Sequence, residues 1–235
     1  MFKKVWIIFS LVFAGAFQLR GQEMLWVVVN NGTALYLSPL EFEWIPIINK
    51  EKVPAKTFIL TKDSTDCQVF KNTDAHELPP DAYFFLADIF PRDRNEIVSA
   101  LTQIEAEQLP NPKKDQDEKR ILGLIYGRQV SAAQIESRVP FEKARQNAIN
   151  WFVASENHSA ALLSLKRMLC KFPNTYLNPE YTNLLLKLYD RLELYGFLIE
   201  ESRFLLNIQE KEFHLMVKSW YEIAQKKLQD NHKKR

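Results

Sequence analysis

Two cysteines, six glycines and four histidines are all that this 235-residue chain holds of the residues on which most compact chemistry is built. Cys67 and Cys170 stand 103 residues apart, and neither has a cysteine or histidine two to four residues away. That excludes a zinc knuckle and a disulfide-stapled scaffold, and leaves open whether the two thiols pair with each other. His76, His158, His214 and His232 are not spaced as metal ligands. With glycine so scarce there is no phosphate-cradling loop, dinucleotide fingerprint or G-x-S-x-G elbow. A net charge of +2, from 31 Lys and Arg against 29 Asp and Glu, gives no electrostatic footprint for nucleic acid. The most apolar run, Val5 to Phe17, has 13 residues, where a bilayer span takes about 20.

The acidic pairs and runs do not repair these absences. Glu41 with Glu43, and Asp115 to Glu118, lack the glycine and spacing of a calcium loop and read as solvated loop charges. No catalytic residue, metal site or cofactor is expected, and the chain is read as non-enzymatic. A carboxylate pair assembled only by the fold would not show in the sequence. His158 lies in a turn between two helical patterns, where a capping or solvent role is expected. Cys170 sits on the flank of an apolar helix face and reads as packing.

What is present begins with a leader. Lys3 and Lys4 precede the apolar run, and Ala14-Gly15-Ala16 near its end complete the three-part pattern of a secretory signal peptide. Residues 1–21 are assigned to it, with cleavage after Ala16 or after Gly21. The expected product is an exported protein of bacterial type, periplasmic or secreted, with no transmembrane span after cleavage.

The rest of the chain divides by period. From Met24 to about Phe90 the pattern is short and β-rich: "LWVVV", then "NNGT" as turn chemistry, then "ALYLSP", "WIPII", "KTFIL" and "CQVFK". Pro46 inside "WIPII" makes that run an edge or kinked strand. Pro79-Pro80 forces an extended break before "DAYFFLADIF". A small antiparallel β barrel or sandwich over residues 22–90 is expected.

After Pro91 the period becomes helical. Ile97, Leu101 and Ile104 fall at i, i+4, i+7, and residues 91–116 are read as a helix and linker. "LPNPKKDQDEKR", Leu109 to Arg120, is the clearest boundary, with two prolines among charges. Residues 117–235 read as an all-α helical-hairpin domain, its first part, "DEKRILGLIYGRQVSAAQIESRV", a further helix or hairpin. The fold class is therefore α+β.

Within the helical half, Pro140 is placed to open a helix whose Ala144, Ala148 and Phe152 share a face, with Ile149 beside them. A Ser or Asn in "SENHS" caps a second helix carrying Ala161, Leu165, Met168 and Phe172, and Pro173 stops it. This hairpin resembles a tetratricopeptide (TPR-like) repeat. Ala161 takes the place of the small residue early in the second helix, Phe152 that of the bulky aromatic, and Pro173 that of the terminal proline. It departs from the family at Arg145 and Ile149, where tryptophan and glycine are usual, so other helical hairpins stay open. A second copy matches Leu185, Leu186 and Tyr189 to Ala148, Ile149 and Phe152 at a shift of 37, while the helix after it needs a larger shift to set Phe204 under Leu165. A final helix with Phe213, Val217, Trp220 and Ile223 on one face has the form of a solenoid cap.

The β half resembles bacterial SH3-like domains through "VVVNNGTALYLSPLEFEWIPIINKEKVPAKTFIL". It departs from them in having "KEKVPA" where a turn glycine is usual, and in lacking a later Gly-Trp pair. Another small barrel or sandwich remains equally open.

These resemblances imply function. The TPR-like array implies an interaction or scaffold protein of the cell envelope, binding a protein or peptide partner on the face built from the first helix of each repeat, with Gln146, Asn150 and Val153 as contact residues. The SH3-like resemblance implies Trp26, Tyr36, Trp44 and Phe58 as an aromatic groove, and peptidoglycan as the alternative target of an envelope or hydrolase-associated protein.

Overall fold

The computed structural model describes residues 23–39, 41–90, 93–107, 124–125, 128–129, 139–208 and 211–233. The proposed leader and the Leu109–Arg120 boundary lie outside the described residues. The chain divides into two compact units, Met1–Ala87 and Asp88–Arg235. The helix that follows Asp93 therefore belongs to the second unit.

The first unit holds eight short strands where the sequence pattern gives five: β1 (Met24–Asn31), β2 (Ala34–Leu37), β3 (Trp44–Pro46), β4 (Lys50–Pro54), β5 (Phe58–Thr61), β6 (Asp66–Lys71), β7 (Asp74–Glu77) and β8 (Tyr83–Phe85). They form two antiparallel four-stranded sheets, in the orders β4-β1-β6-β7 and β3-β2-β5-β8. The "NNGT" segment is not a hairpin turn, because β1 and β2 do not pair. The chain instead passes from one sheet to the other at Gly32, whose φ of +88° is open to glycine. A Cβ there would lie 2.7 Å from Thr65 Cα. The crossing is tied on both sides: Thr33 N–H donates to Thr65 Oγ1 at 3.1 Å, and that hydroxyl donates to Thr33 O at 2.9 Å. "KEKVPA" is likewise a strand, not a turn. Its polar Lys50 and Lys52 face outward while Val53 is buried, the alternation of a half-buried antiparallel strand. β3 lies at a sheet edge, the position Pro46 requires.

Period-two alternation gives each sheet one buried face. Leu25, Val27, Val53, Cys67 and Val69 fill that of the first sheet, and Ala34, Ile59 and Phe84 that of the second. Each such large aliphatic contributes about 1.5–3 kcal/mol relative to exposure.

Six α-helices lie among the described residues, all in the second unit: α1 (Arg94–Ala106), α2 (Glu142–Ala154), α3 (His158–Lys171), α4 (Pro179–Arg191), α5 (Tyr195–Ile208) and α6 (Lys211–Lys233). Asp93 caps α1 by accepting from the Asn95 and Glu96 N–H groups, and Ile97, Leu101 and Ile104 are buried as their spacing predicts. Asn157 caps α3 through the Ala160 N–H, and Asn178 caps α4 with Pro179 at its first turn. Of the segment read as a further helix or hairpin, the described residues instead form a minimal antiparallel pair, β9 (Leu124–Ile125) with β10 (Arg128–Gln129).

The helix bounds repeat. α2 and α4 have 13 residues each and begin 37 apart; α3 and α5 have 14 each and also begin 37 apart. The larger shift expected for the second helix is therefore corrected. Leu198 stands under Ala161, Ser202 under Leu165 and Leu205 under Met168, all fully buried. What repeats at these positions is burial and not residue type, with Leu165 large where Ser202 is small. Arg145 is buried, with its guanidinium 5.4 Å from the Phe172 ring centroid and donating to Pro140 O at 2.9 Å. In α6 the inward face is Val217 and Ala224, with Trp220 half-buried, while Ile223 is 40% exposed. Phe213, Val217, Trp220 and Ala224 fall at i, i+4, i+7, i+11, a truer helical stripe than one ending at Ile223. No helix among the described residues is long and apolar enough to cross a membrane.

Candidate peptide-binding face

α2 buries Ala144, Ala148, Ile149 and Phe152 against its own unit. Gln146, Asn150 and Val153 lie beside that stripe at i, i+4, i+7; Asn150 is exposed and the other two are half-buried. Among the described residues, the Gln146 and Asn150 side chains make no hydrogen bond. The 37-residue repeat gives their counterparts on α4 as Asn183, Lys187 and Asp190.

Two of those counterparts are engaged by α6. Trp220 Nε1 donates to Asn183 Oδ1 at 2.9 Å, and Lys227 Nζ donates to Asp190 Oδ1 at 2.6 Å. Lys227 titrates above its ordinary value because it donates that hydrogen bond, with the Asp190 charge adding to it against a small burial cost. The seam between α4 and α6 is thus sutured at both ends of the stripe.

The seam between α2 and α4 opens into a cavity of about 230 Å³. Val153, Ala154, Leu184 and Leu188 give it an apolar lining; Glu156, His158, Lys187 and Arg191 give it a polar rim. Where the α4–α6 seam has Asp190 holding a lysine, the α2–α4 seam has Val153, which can hold none. His158 is the first residue of α3 and not its cap, a role taken by Asn157. Arg191 donates to His158 Nε2 at 3.0 Å, and His158 Nδ1 has no hydrogen-bond partner. Burial lowers the His158 pKa first, then the Arg191 charge, with Lys187 adding to them and Glu156 opposing. The imidazole stays neutral, and the rim carries two cations against one carboxylate. The structure brings Val153 to this cavity, and leaves Gln146 and Asn150 on the same helix stripe outside its lining.

The same unit holds a buried cluster that periodicity alone does not reveal. Lys166 is fully buried, its ammonium paired with the buried Glu201 carboxylate, 3.1 Å from Glu105 Oε1 and 3.4 Å from the Tyr176 hydroxyl. The Tyr189 hydroxyl reaches the same Glu201 oxygen at 3.5 Å. Burial opposes the lysine charge, but Glu201, with smaller contributions from Tyr176 and Tyr189, outweighs it and holds the ammonium well above its ordinary range. Lys166 therefore ties α3 to α1 and α5, and Glu201 carries the cluster on to Tyr189 of α4. The next residue, Arg167, makes two hydrogen bonds to the fully buried Asp88, at 2.9 and 3.4 Å. Both are packing devices, and a charge in a helical pattern ordinarily signals solvent, which is why they escape a sequence reading.

The four aromatics expected to form a groove on the β unit do not share one surface. Trp26 is 40% exposed on the outer face of the first sheet, opposite Lys52 and Phe70, with the Lys50 and Lys52 ammoniums 4.9 and 5.1 Å from its ring centroid. Tyr36 opposes Ile59 and so lies on the buried side of the second sheet; burial raises its hydroxyl pKa, helped by Glu51 and Glu41. Trp44 and Phe58 lie on the other side of that sheet, both against Tyr83, with ring centroids 6.0 and 5.0 Å away. Strand parity decides this division, and the "ALYL" register was not readable without its partners.

Neither cysteine forms a disulfide. Burial, with the neighbouring Asp66 charge, pushes the Cys67 thiol up to about 12. Among the described residues no group of three or more His, Cys, Asp or Glu is placed to hold a metal ion. Compared with protein-family models, curated proteins and solved structures, the chain shows no match.

Proposed function

We propose that this chain is an exported, non-enzymatic interaction or scaffold protein of the bacterial cell envelope, whose helical unit captures a peptide segment of a protein partner. On this reading α2–α3 and α4–α5 are two TPR-like repeats with α6 as the cap, and Gln146, Asn150 and Val153 contact the partner. The observation that carries it is the unequal closure of the two seams: α6 bonds to Asn183 and Asp190, while the equivalent stripe on α2 borders an open cavity. Small-residue positions such as Ala161 let the paired helices approach and splay their first helices into a row, the geometry that presents such a stripe. The test is selection of displayed random peptides on the purified protein, followed by affinity measurement with Gln146→Ala and Asn150→Ala together. Retained affinity after both substitutions would count against the proposal.

The first unit is proposed as a β sandwich of the SH3-like kind. The three-residue link Ala55–Thr57 supports this: Ala55 N–H bonds to Glu23 O at one end of the β1–β2 path, and the Thr57 hydroxyl bonds to Leu37 O at the other. Three residues reach about 10 Å, the spacing of two stacked sheets. Peptidoglycan targeting is the second reading, favoured by Trp26 standing between two lysines on an open sheet face, since an aromatic face with adjacent cations suits a glycan bearing acidic peptides. Co-sedimentation of the Trp26→Ala protein with purified cell wall decides it, with unchanged sedimentation counting against. Export is tested by fusing residues 1–22 to a reporter active only outside the cytoplasm.

A further inference from the structure

We infer that the cavity between α2 and α4 receives Phe42 of a second copy of this chain, with Glu41 and Glu43 of the same loop set against Lys187 and Arg191 on its rim. This goes beyond the peptide-capture reading and does not rest on it, since neither Gln146 nor Asn150 takes part.

The loop between β2 and β3 presents the side chain. Phe42 is 79% exposed, and its backbone is left-handed at φ 56°. A bulky residue gains nothing locally from that conformation, which outside glycine belongs mostly to Asn and Asp. The loop is closed on Ser38. The Ser38 carbonyl accepts from Phe42 N–H at 3.0 Å, its hydroxyl accepts from Glu41 N–H at 3.2 Å, and its N–H donates to Glu43 O at 2.8 Å. The ring is thus held out in water by a fixed turn, and burying it in a partner costs little further ordering. Among the exposed large apolar side chains of the described residues, Phe42 is the one with an acidic residue on each side of it in sequence. Neither carboxylate makes an ion pair among the described residues.

The cavity is its complement in size, polarity and charge. At about 230 Å³ it falls below the roughly 300–1,000 Å³ of pockets that enclose a cofactor or drug-sized molecule, so it admits one large side chain. Val153, Ala154, Leu184 and Leu188 give an aromatic ring an apolar bed, and a buried Phe removes about 150–250 Å² from water. Lys187 makes no hydrogen bond or ion pair among the described residues, and Arg191 uses one guanidinium nitrogen on His158. Two cations therefore remain for two carboxylates, against Glu156 as the one acid of the rim. With Nε2 accepting from Arg191, the neutral His158 carries its proton on Nδ1, a buried N–H with no acceptor. An entering loop brings carbonyl oxygens that can accept from it. The exposed Trp26 and Ile48 fit less well, because Lys50 and Lys52 accompany the first and Lys50 closely follows the second. Loop and cavity are different surfaces, so the contact is heterologous and leaves each copy one of each to offer the next.

Sedimentation velocity of the full-length protein from about 10 μM to 1 mM is expected to show association, with a Kd between about 1 μM and 1 mM for so small a contact. Phe42→Ala, and Lys187→Glu together with Arg191→Glu, are each expected to weaken it about tenfold or more. All of these positions are exposed, so the fold does not depend on them. Mixed, the two variants are expected to form a complex of two chains with the Kd of the unaltered protein, because one keeps the cavity and the other keeps Phe42. A mixture that stays monomeric, association that persists in Phe42→Ala, or an unaltered protein still monomeric at about 1 mM overturns the inference. A selected peptide that moves the Leu184 and Leu188 amides of a protein monomeric at that concentration would overturn it too, giving the cavity to the partner and leaving peptide capture standing.

Discussion

Glu156 and Glu193 stand 37 residues apart, and both adopt left-handed backbone, with φ of 59° and 56°. Each occupies the tight turn joining the two helices of its hairpin, α2 to α3 and α4 to α5. Both side chains are exposed, so the conformation is imposed by the turn and not by packing of the glutamate. The two hairpins thus turn through the same backbone conformation at points 37 residues apart.

Glycine at either position removes the steric cost of left-handed backbone, about 1–2 kcal/mol, and adds back about 0.5–1 kcal/mol of unfolded-chain entropy. Glu156→Gly and Glu193→Gly are each expected to stabilise by several tenths to about 1 kcal/mol in urea denaturation. The two effects should agree closely. Destabilisation by either would mean that its carboxylate holds the turn.

Lys166→Met leaves the Glu201 carboxylate buried without its cation, and a loss of about 3–5 kcal/mol is expected. Adding Glu201→Leu should recover much of it, since a packed apolar pair removes the stranded charge. A double-mutant cycle by chemical denaturation measures the coupling. Because the Lys166 pKa is raised, its contribution is complete below the free-lysine value and is lost only as pH rises through the higher, folded value. Stability that tracked this pair near neutral pH would contradict the assignment.

Not all of this was legible in the sequence, and the division follows physics. Ile97, Leu101 and Ile104, the Asn157 cap and the edge role of Pro46 come from local periodicity and stereochemistry, which act within a few residues. β4 escaped because Lys50, Glu51 and Lys52 carry no apolar signal; pairing with β1 makes them a strand. The 37-residue spacing was visible in Leu185, Leu186 and Tyr189 but blurred in α5, where a small polar Ser202 stands at the position of Leu165 and carries no apolar signal. Of the candidate site, Val153 reached the cavity, but Lys187 and Arg191 acquire meaning only when α4 lies beside α2. Lys166 depends on Glu201, 35 residues away.

His158 is expected to titrate below its ordinary value of about 6.5 in an NMR pH series. With a depressed folded pKa, its contribution to stability is present above about pH 6.5 and is lost as pH falls through the lower, folded value. Arg191→Gln should raise the pKa and Glu156→Gln should lower it further. An unshifted His158 would mean that the Arg191 contact is not populated.

Cys67, with its thiol pushed up to about 12, should resist iodoacetamide in the native protein at pH 8 while the half-buried Cys170 is modified first. Mass spectrometry of the labelled peptides reads the order. The unfolded thiol ionises near 8.5, so this residue's contribution to stability should fall as pH rises from there toward 12. Faster labelling of Cys67 would show that the core of the first sheet opens readily.

The most direct test of the account is to map where a selected peptide binds. Amide shifts of the full-length protein, titrated with the tightest binder from a displayed library, should move at Gln146, Asn150 and Val153 and along Leu184 to Arg191. Shifts confined to the β strands, or to the outer face of α6, would contradict it.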